Sequence, residues 1–414
     1  MKERAAKAGM EINKNKLQEM VLEKIDLTKE LKDEEILEVI DEILLKTGRE
    51  SFIEMQDKKR LRREIFNSIR RLDILQELLE DTSITEIMIN GADHIFIEQK
   101  GSIKPWNKQF ESHKKLADIV QQIVSKSNRI INEATPIVDT RLEDGSRVNI
   151  VLPPVAMEGP VITIRKFPDK AITIDKLIEI GSVTYEVSEF LEKLVRAGYN
   201  IFISGGTGSG KTTFLNVLSN FIPQDERVIT IEDSAELQIK NVPNLVRLEV
   251  RNANVEGKNG VTIRDLIKSS LRMRPDRIVV GEVRDAAALD MLQAMNSGHD
   301  GSLSTGHANS AIDMLSRLET LVLMGTDIPL LAVRRQIASA IDIIVHLGRL
   351  RDKTRKVLEI SEVRGCVDGE FEINKLYEFV ETGEDKDGKV LGSLARTDKE
   401  FINIAKLKRA GLVP

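Results

Sequence analysis

A chain of 414 residues is long enough for two or three domains, and 41% apolar with 31% charged residues is the composition of a globular protein. Its 61 Lys and Arg against 66 Asp and Glu leave a formal net charge of −5, which argues against a chain-wide basic footprint for nucleic acid. One cysteine, Cys366, excludes an intrachain disulfide and a thiolate zinc cluster, and fits a reducing cytosol.

Met1-Lys2-Glu3-Arg4 carries both signs of charge and no apolar run follows, so no signal peptide is expected. No uncharged apolar stretch reaches ~18 residues, so no bilayer span is expected and any membrane role goes through partners. To about Arg71 the chain is rich in Lys, Glu and Leu. Ile36, Leu37, Ile40, Ile43 and Leu44 fall at helical spacing before Gly48, and Leu61, Ile65, Ile69 and Leu72 continue the pattern. A helical module with solvated charged faces is expected over 1–72.

From Thr82 the texture changes. Ile84 to Ile89 and Ile95 to Ile97 are strand-like around the turn Asn90-Gly91-Ala92-Asp93. Leu116, Ile119, Val120, Ile123 and Val124 mark an amphipathic helix. Val148 to Leu152 and Val161 to Ile164 are two further strands, parted by Pro153-Pro154 and Gly159-Pro160. This predicts a compact α+β domain over 73–167. Phe167-Pro168-Asp169-Lys170 opens an expected linker over 168–176.

Over 177–414 the pattern becomes helix, strand, glycine-rich loop, helix, strand. Val228 to Ile231 and Ile278 to Val280 are short β-branched runs of the buried parallel type. A doubly wound α/β core is predicted. Ile343 to Leu347, Val357 to Val363 and Phe371 to Val380 read as further strands. A charged turn over Glu384 to Lys389 and a short last helix follow.

The chemistry centres on Ile201-Phe202-Ile203-Ser204, an apolar strand, followed by Gly205-Gly206-Thr207-Gly208-Ser209-Gly210-Lys211-Thr212-Thr213. A strand, G-x-x-x-x-G-K-T and a helix make a P-loop. Its glycines bend the backbone so that N–H groups cradle a polyphosphate at the helix N-terminus. Lys211 is placed for the β- and γ-phosphates and the Thr212 hydroxyl for Mg²⁺. Binding alone is not hydrolysis, which needs carboxylates for water and metal. Glu232-Asp233 closes one strand and Glu282 follows Arg277-Ile278-Val279-Val280-Gly281, both at carboxyl ends of strands where α/β sheets bind ligands. Each could equally be a helix cap.

Gly298-His299-Asp300-Gly301-Ser302-Leu303-Ser304-Thr305-Gly306-His307-Ala308-Asn309 reads as one polar, glycine-bearing loop with two of the five histidines. A metal site lacks further ligands nearby. A core or capping histidine, or one that senses a γ-phosphate, both remain open. Arg141, Arg147 and Arg165 are either ordinary surface arginines or phosphate clamps, a task that suits their fork geometry.

Together these segments resemble the type II/IV secretion ATPase superfamily, and within it the CpaF-type ATPases of Tad/Flp pili. The resemblance runs through Glu86-Ile87-Met88-Ile89-Asn90-Gly91, Thr140-Arg141-Leu142-Glu143-Asp144-Gly145-Ser146-Arg147-Val148-Asn149 and Thr163-Ile164-Arg165-Lys166-Phe167. After the P-loop, Thr230-Ile231-Glu232-Asp233-Ser234-Ala235-Glu236-Leu237 resembles the family's Asp box. Arg274-Pro275-Asp276-Arg277-Ile278-Val279-Val280-Gly281-Glu282-Val283-Arg284 resembles its Walker B segment, and Gly298 to Asn309 its His box. Leu407 to Pro414 also looks like the CpaF-type ending.

The resemblance implies a PAS-like domain and a RecA-like motor, a homohexamer, and ATP with Mg²⁺ in the cleft between the domains. It implies Glu282 as catalytic base, Glu232 on water or in the metal shell, His307 at the γ-phosphate, and Arg141, Arg147 and Arg165 at the phosphates. It implies a cytoplasmic motor on the inner face of the membrane that drives pilus extension through an inner-membrane platform, with pilin an indirect substrate. No tetracysteine zinc module fits one cysteine, and the Ala-Ile-Arg-Asn-Leu-Ile motif of retraction ATPases is not found. A DNA-directed RecA-like motor is the alternative, opposed by the acidic charge balance. A nucleotide-binding scaffold with little turnover is a third reading. No Leu-Ser-Gly-Gly-Gln signature supports an ABC ATPase.

Overall fold

The computed structural model describes residues 14–25, 31–50, 53–99, 101–127, 129–167, 172–251 and 259–413. Met1–Arg4 and the linker residues Pro168–Lys170 lie outside them. The chain divides into two compact units, Met1–Asp169 and Lys170–Pro414.

The first unit opens with helices α1 (Lys14–Lys24), α2 (Asp33–Glu50) and α3 (Met55–Arg70). Their apolar stripes meet in a small core of Leu17, Val21, Ile36, Ile40, Ile43, Leu44, Leu61 and Ile65. After α4 (Leu75–Glu80) come β1 (Ile84–Asn90), β2 (His94–Gln99), β3 (Ser102–Pro105), α5 (His113–Ser125), β4 (Ile137–Arg141), β5 (Arg147–Val151) and β6 (Val161–Arg165). The strands form one antiparallel sheet, ordered β3-β2-β1-β6-β5-β4. Alternation puts Ile87, Ile89, Val148, Ile150, Ile162 and Ile164 into a core shared with α5. Ser112 caps α5 by accepting from Lys115 N at 3.1 Å. The two edge strands β3 and β4 are not evident in the sequence pattern. β3 is exposed throughout, and β4 buries only Val138.

The second unit runs α6 (Ile174–Glu179), α7 (Tyr185–Arg196), β7 (Ile201–Gly205), α8 (Lys211–Ser219), β8 (Val228–Glu232), β9 (Leu245–Glu249), α9 (Ile263–Ser270), β10 (Arg277–Val280), α10 (Ala287–Asn296) and β11 (Leu303–Gly306). Then follow α11 (Ala311–Leu323), α12 (Leu330–Ala340), β12 (Ile343–Arg349), β13 (Arg355–Val367), β14 (Glu370–Glu384), β15 (Val390–Arg396) and α13 (Ala405–Arg409). The nine-stranded sheet is ordered β15-β14-β13-β12-β7-β11-β10-β8-β9. From β12 to β9 every pairing is parallel, and β13 to β15 add an antiparallel meander.

Both faces of the parallel part are buried. Ile201, Ile203, Val279, Leu303 and Val345 face α7 and α8, while Phe202, Ile229, Ile231, Ile278 and Val280 face α10 to α12. The Glu384–Lys389 turn is the tip of the β14–β15 hairpin, closed by Asp385 N donating to Lys389 O.

One expectation is corrected. Gly298–Asn309 is not a single loop. Leu303–Gly306 is the fully buried strand β11, wedged between β7 and β10. His299 and His307 therefore lie at opposite ends of a strand. Serine, threonine and glycine in β11 hide it from a hydrophobicity reading.

The last residues are bolted to the same unit. Lys406 donates to Asp342 (2.8 Å), Asp300 (2.8 Å) and Gly198 O (3.0 Å). Glu362, 1% exposed, accepts from Ile402 N (3.2 Å) and Asn403 N (2.5 Å), and the Tyr199 hydroxyl donates to Asn403 O.

Candidate active site

The P-loop leaves β7 and enters α8. Gly205 has φ +154°, and a Cβ there would lie 2.4 Å from Leu347 O of β12, so only glycine lets the two backbones approach. Gly210, with φ +96°, is the N-cap that starts α8 at Lys211. Gly206, Thr207 and Gly208 are exposed, Ser209 and Lys211 are buried, and Thr212 and Thr213 sit half-buried in the first helical turn. Arg355 at the start of β13 donates through Nε to Gly208 O at 2.8 Å and holds the outside of the loop. Beneath it, His346 Nδ1 lies 2.9 Å from Ser204 Oγ, both buried.

Parallel pairing brings the other sequence-predicted groups of this unit to the same end of the sheet. Gly281 N donates to Ile231 O (2.8 Å) and Val283 N to Thr305 O (3.0 Å), so the residues after β8, β10 and β11 lie side by side. Lys211 Nζ donates to Gly206 O at 3.0 Å and lies 3.2 Å from His307 Nδ1. His307 Nε2 lies 2.9 Å from Glu282 Oε1, in poor alignment, since that buried oxygen accepts no hydrogen bond. Glu282 Oε2 accepts from Arg284 Nη2 at 2.8 Å, and Arg284 Nη1 lies 3.7 Å from Asp233 Oδ2. The result is a chain of polar contacts, Lys211–His307–Glu282–Arg284–Asp233. These partners assign His307 as a neutral imidazole that accepts at Nδ1.

Glu232 is 2% exposed at the end of β8. Its Oε2 accepts from Glu236 N (2.7 Å) and Leu237 N (2.9 Å), while Oε1 has no donor. Burial pushes its carboxyl above the ordinary value despite those two bonds. Burial also pushes Glu282 up, but Arg284, with help from His307 and Lys211, outweighs it and holds that carboxyl low. Burial, followed by the nearby Arg284, lowers Lys211 against the pull of Glu282. Burial lowers His307 too.

In the first unit Arg141, Arg147 and Arg165 are brought together. Arg141 pairs with Arg147 across β4–β5, and Arg147 with Arg165 across β5–β6. Directly opposed residues share a face, so three arginines stand in one cross-strand row. Glu86 of β1 continues the row beside Arg165.

The sequence reading missed Arg284, Arg355 and His346. Arg284 could have been found, since it sits two residues after Glu282 with the apolar Val283 between them. Arg355 is 147 residues from its P-loop partner and His346 is 142 from Ser204, and no local pattern marks either.

Residues 70–392 match the family model of the type II/IV secretion system proteins. The chain belongs to that family. The conjugal transfer protein TrbB of Rhizobium radiobacter is 33% identical over 322 residues, covering 75% of this chain and 93% of that one. The type IV secretion system protein VirB11 of Bartonella henselae is 32% identical over 329 residues, covering 70% and 92%. The ATPase DotB of Legionella pneumophila, known by X-ray structure, shares the fold with a TM-score of 0.51 at 22% identity, covering 71% of this chain and 80% of that one. This type II/IV secretion family member is a nucleotide-binding ATPase with a RecA-like motor domain and a preceding N-terminal domain. No helix among the described residues is long and apolar enough to cross a membrane.

Proposed function

We propose that this chain is a homohexameric motor that hydrolyses ATP with Mg²⁺ to drive extension of a Tad/Flp-like type IV pilus. In this reading it acts from the cytoplasm on an inner-membrane platform, and pilin is moved indirectly. The observation that carries the reading is the contact chain from Lys211 through His307 and Glu282 to Asp233, which sets a phosphate cradle beside a partly buried carboxylate. Lys211 and the P-loop amides bind the phosphates. Glu282 orients the attacking water and His307 lies where a γ-phosphate would end. Arg141, Arg147 and Arg165 form a row of three like charges in the first unit, a surface that favours an anion.

The donor set suits Mg²⁺. Glu232 Oε1 and Ser209 Oγ are buried oxygens without hydrogen-bond donors, and a hard cation with its water shell takes such oxygens. Thr212 and Glu232 would hold it, directly or through water, and it would neutralise charge on the β- and γ-phosphates. The pilus assignment rests on the CpaF-type motifs over Glu86–Gly91, Thr140–Asn149 and the chain ending.

The test is steady-state ATP hydrolysis across a size-exclusion profile, with Lys211→Ala as control. Activity that tracks a hexamer peak and vanishes in the control supports the motor. Nucleotide binding without turnover in any oligomer overturns it in favour of a scaffold. The relatives named as conjugal transfer proteins favour a second reading, a motor that serves DNA transfer. Hydrolysis stimulated several-fold by DNA would select it.

A further inference from the structure

Glu282 carries two carboxylate oxygens in two environments. Its side chain is 17% exposed, and Arg284, 61% exposed, lies over it on the solvent side. After β10 burial alternates: Glu282 and Arg284 are partly exposed while Val283 between them, 1% exposed, anchors the segment. Val283 N is fixed by Thr305 O at 3.0 Å, which sets the height of both neighbours above the sheet. Arg284 is steadied in turn by Asp233.

We infer that Arg284 is a positioning residue for hydrolysis: by capping Glu282 Oε2 it fixes the carboxylate plane and leaves Oε1 as the acceptor for the attacking water. The inference deepens the ATPase reading and rests on Glu282 being the group that orients water. Oε1 is the oxygen that is buried, has no hydrogen-bond donor, and points toward His307 and hence toward Lys211. An uncapped carboxylate on a two-torsion stem has rotamers in which neither oxygen points that way. A loose phosphoryl-transfer transition state asks for orientation more than for base strength, so an arginine that weakens the base while aiming it is a gain. Arg284 also keeps the half-buried carboxyl ionised, which orientation of water by an acceptor requires.

The test compares wild type, Arg284→Gln, Arg284→Lys and Glu282→Gln in the purified full chain, with ATP and Mg²⁺, over pH 5 to 9. Arg284→Gln is expected to lower kcat roughly ten- to hundredfold, the cost of losing a charge-assisted bond on a reacting group, with KM moving less than about threefold. Its acidic limb of kcat moves to higher pH, because the carboxyl loses the charge that held it down. Arg284→Lys, which keeps the charge and one donor, recovers part of kcat and returns the limb toward wild type. A limb at the wild-type pH in Arg284→Gln, or a lysine no better than glutamine, overturns the inference. Thermal unfolding of each variant separates a misfolded chain from a misaimed carboxylate. The underlying reading fails in a different way, by Glu282→Gln hydrolysing as fast as wild type.

Discussion

Glu232 offers a way to separate a scaffold role from a chemical one at a single position. Its Oε2 holds the N–H groups of Glu236 and Leu237, and Leu237 is 1% exposed. Glu232→Ala leaves both donors without an acceptor, one of them fully buried. At about 1–3 kcal/mol for a buried unsatisfied donor and less for the half-buried one, the loss is about 2–4 kcal/mol. For a unit of this size that is roughly 4–16 °C in Tm. Glu232→Gln keeps an oxygen for both donors and removes a carboxylate whose ionisation is opposed by burial. A carboxyl with a raised folded pKa contributes stability below its unfolded value and loses it as pH rises through the folded value. At pH 8 the glutamine variant is therefore expected to melt within about 1 kcal/mol of wild type. Both variants should lose hydrolysis about a hundredfold or more, because neither offers a charged oxygen to water or metal. The assays are thermal unfolding at pH 8 and steady-state phosphate release. Equal melting of alanine and glutamine would refute the argument that Oε2 organises the loop, and full hydrolysis by the glutamine variant would refute the chemical role of Oε1.

Glu282→Gln should bind a fluorescent ATP analogue within about threefold of wild type while turnover drops about a hundredfold or more, and undiminished turnover removes Glu282 from its role. Lys211→Ala should lose measurable nucleotide binding, read by titration calorimetry. Gly205→Ala, which presses a methyl against Leu347 O, should both lower Tm and abolish nucleotide binding, whereas an alanine at exposed Gly206 should leave Tm unchanged. Stability should fall on acidification in two windows. His307, with its folded value below the ordinary 6.5, loses its contribution as pH drops from about 6.5 through that folded value. Glu282, held below its ordinary 4.5, does the same from about 4.5 downward. His307→Gln should flatten the upper window in a denaturant titration series at pH 5 to 8, and an unchanged slope there would exclude His307 as its source.

The buried parts of the fold were legible because burial writes itself into composition. β7, β8 and β10 are β-branched runs bounded by turn chemistry, and α5 repeats apolar residues at helical spacing. Edges were not legible. β3, β4, β9 and β15 bury few side chains, so their pairing comes from backbone groups that any residue provides. β11 was missed for the opposite reason. It is wholly buried, but close packing against Met314 and Phe202 selects small residues that read as loop. At the site, residues tied to a backbone motif could be placed from sequence. Lys211, Glu232 and Glu282 each lie at or just beyond a strand end, and parallel pairing does the rest. Arg355 and His346 reach the P-loop only through the β12 neighbour of β7, a pairing no local pattern encodes.

The place of β7 in the sheet has a consequence for how the protein is made. The strand that launches the P-loop is flanked on one side by β11 and on the other by β12, and its Ser204 meets a partner 142 residues further along. During synthesis the phosphate cradle therefore emerges long before either wall that shapes it. Until Ile343–Arg349 has been made, β7 is an apolar strand with at least one open edge, a template for wrong pairing. Non-local closure of this kind is slow. A nascent chain arrested before β12 should bind chaperone and no nucleotide, and both properties should reverse once that one strand is added.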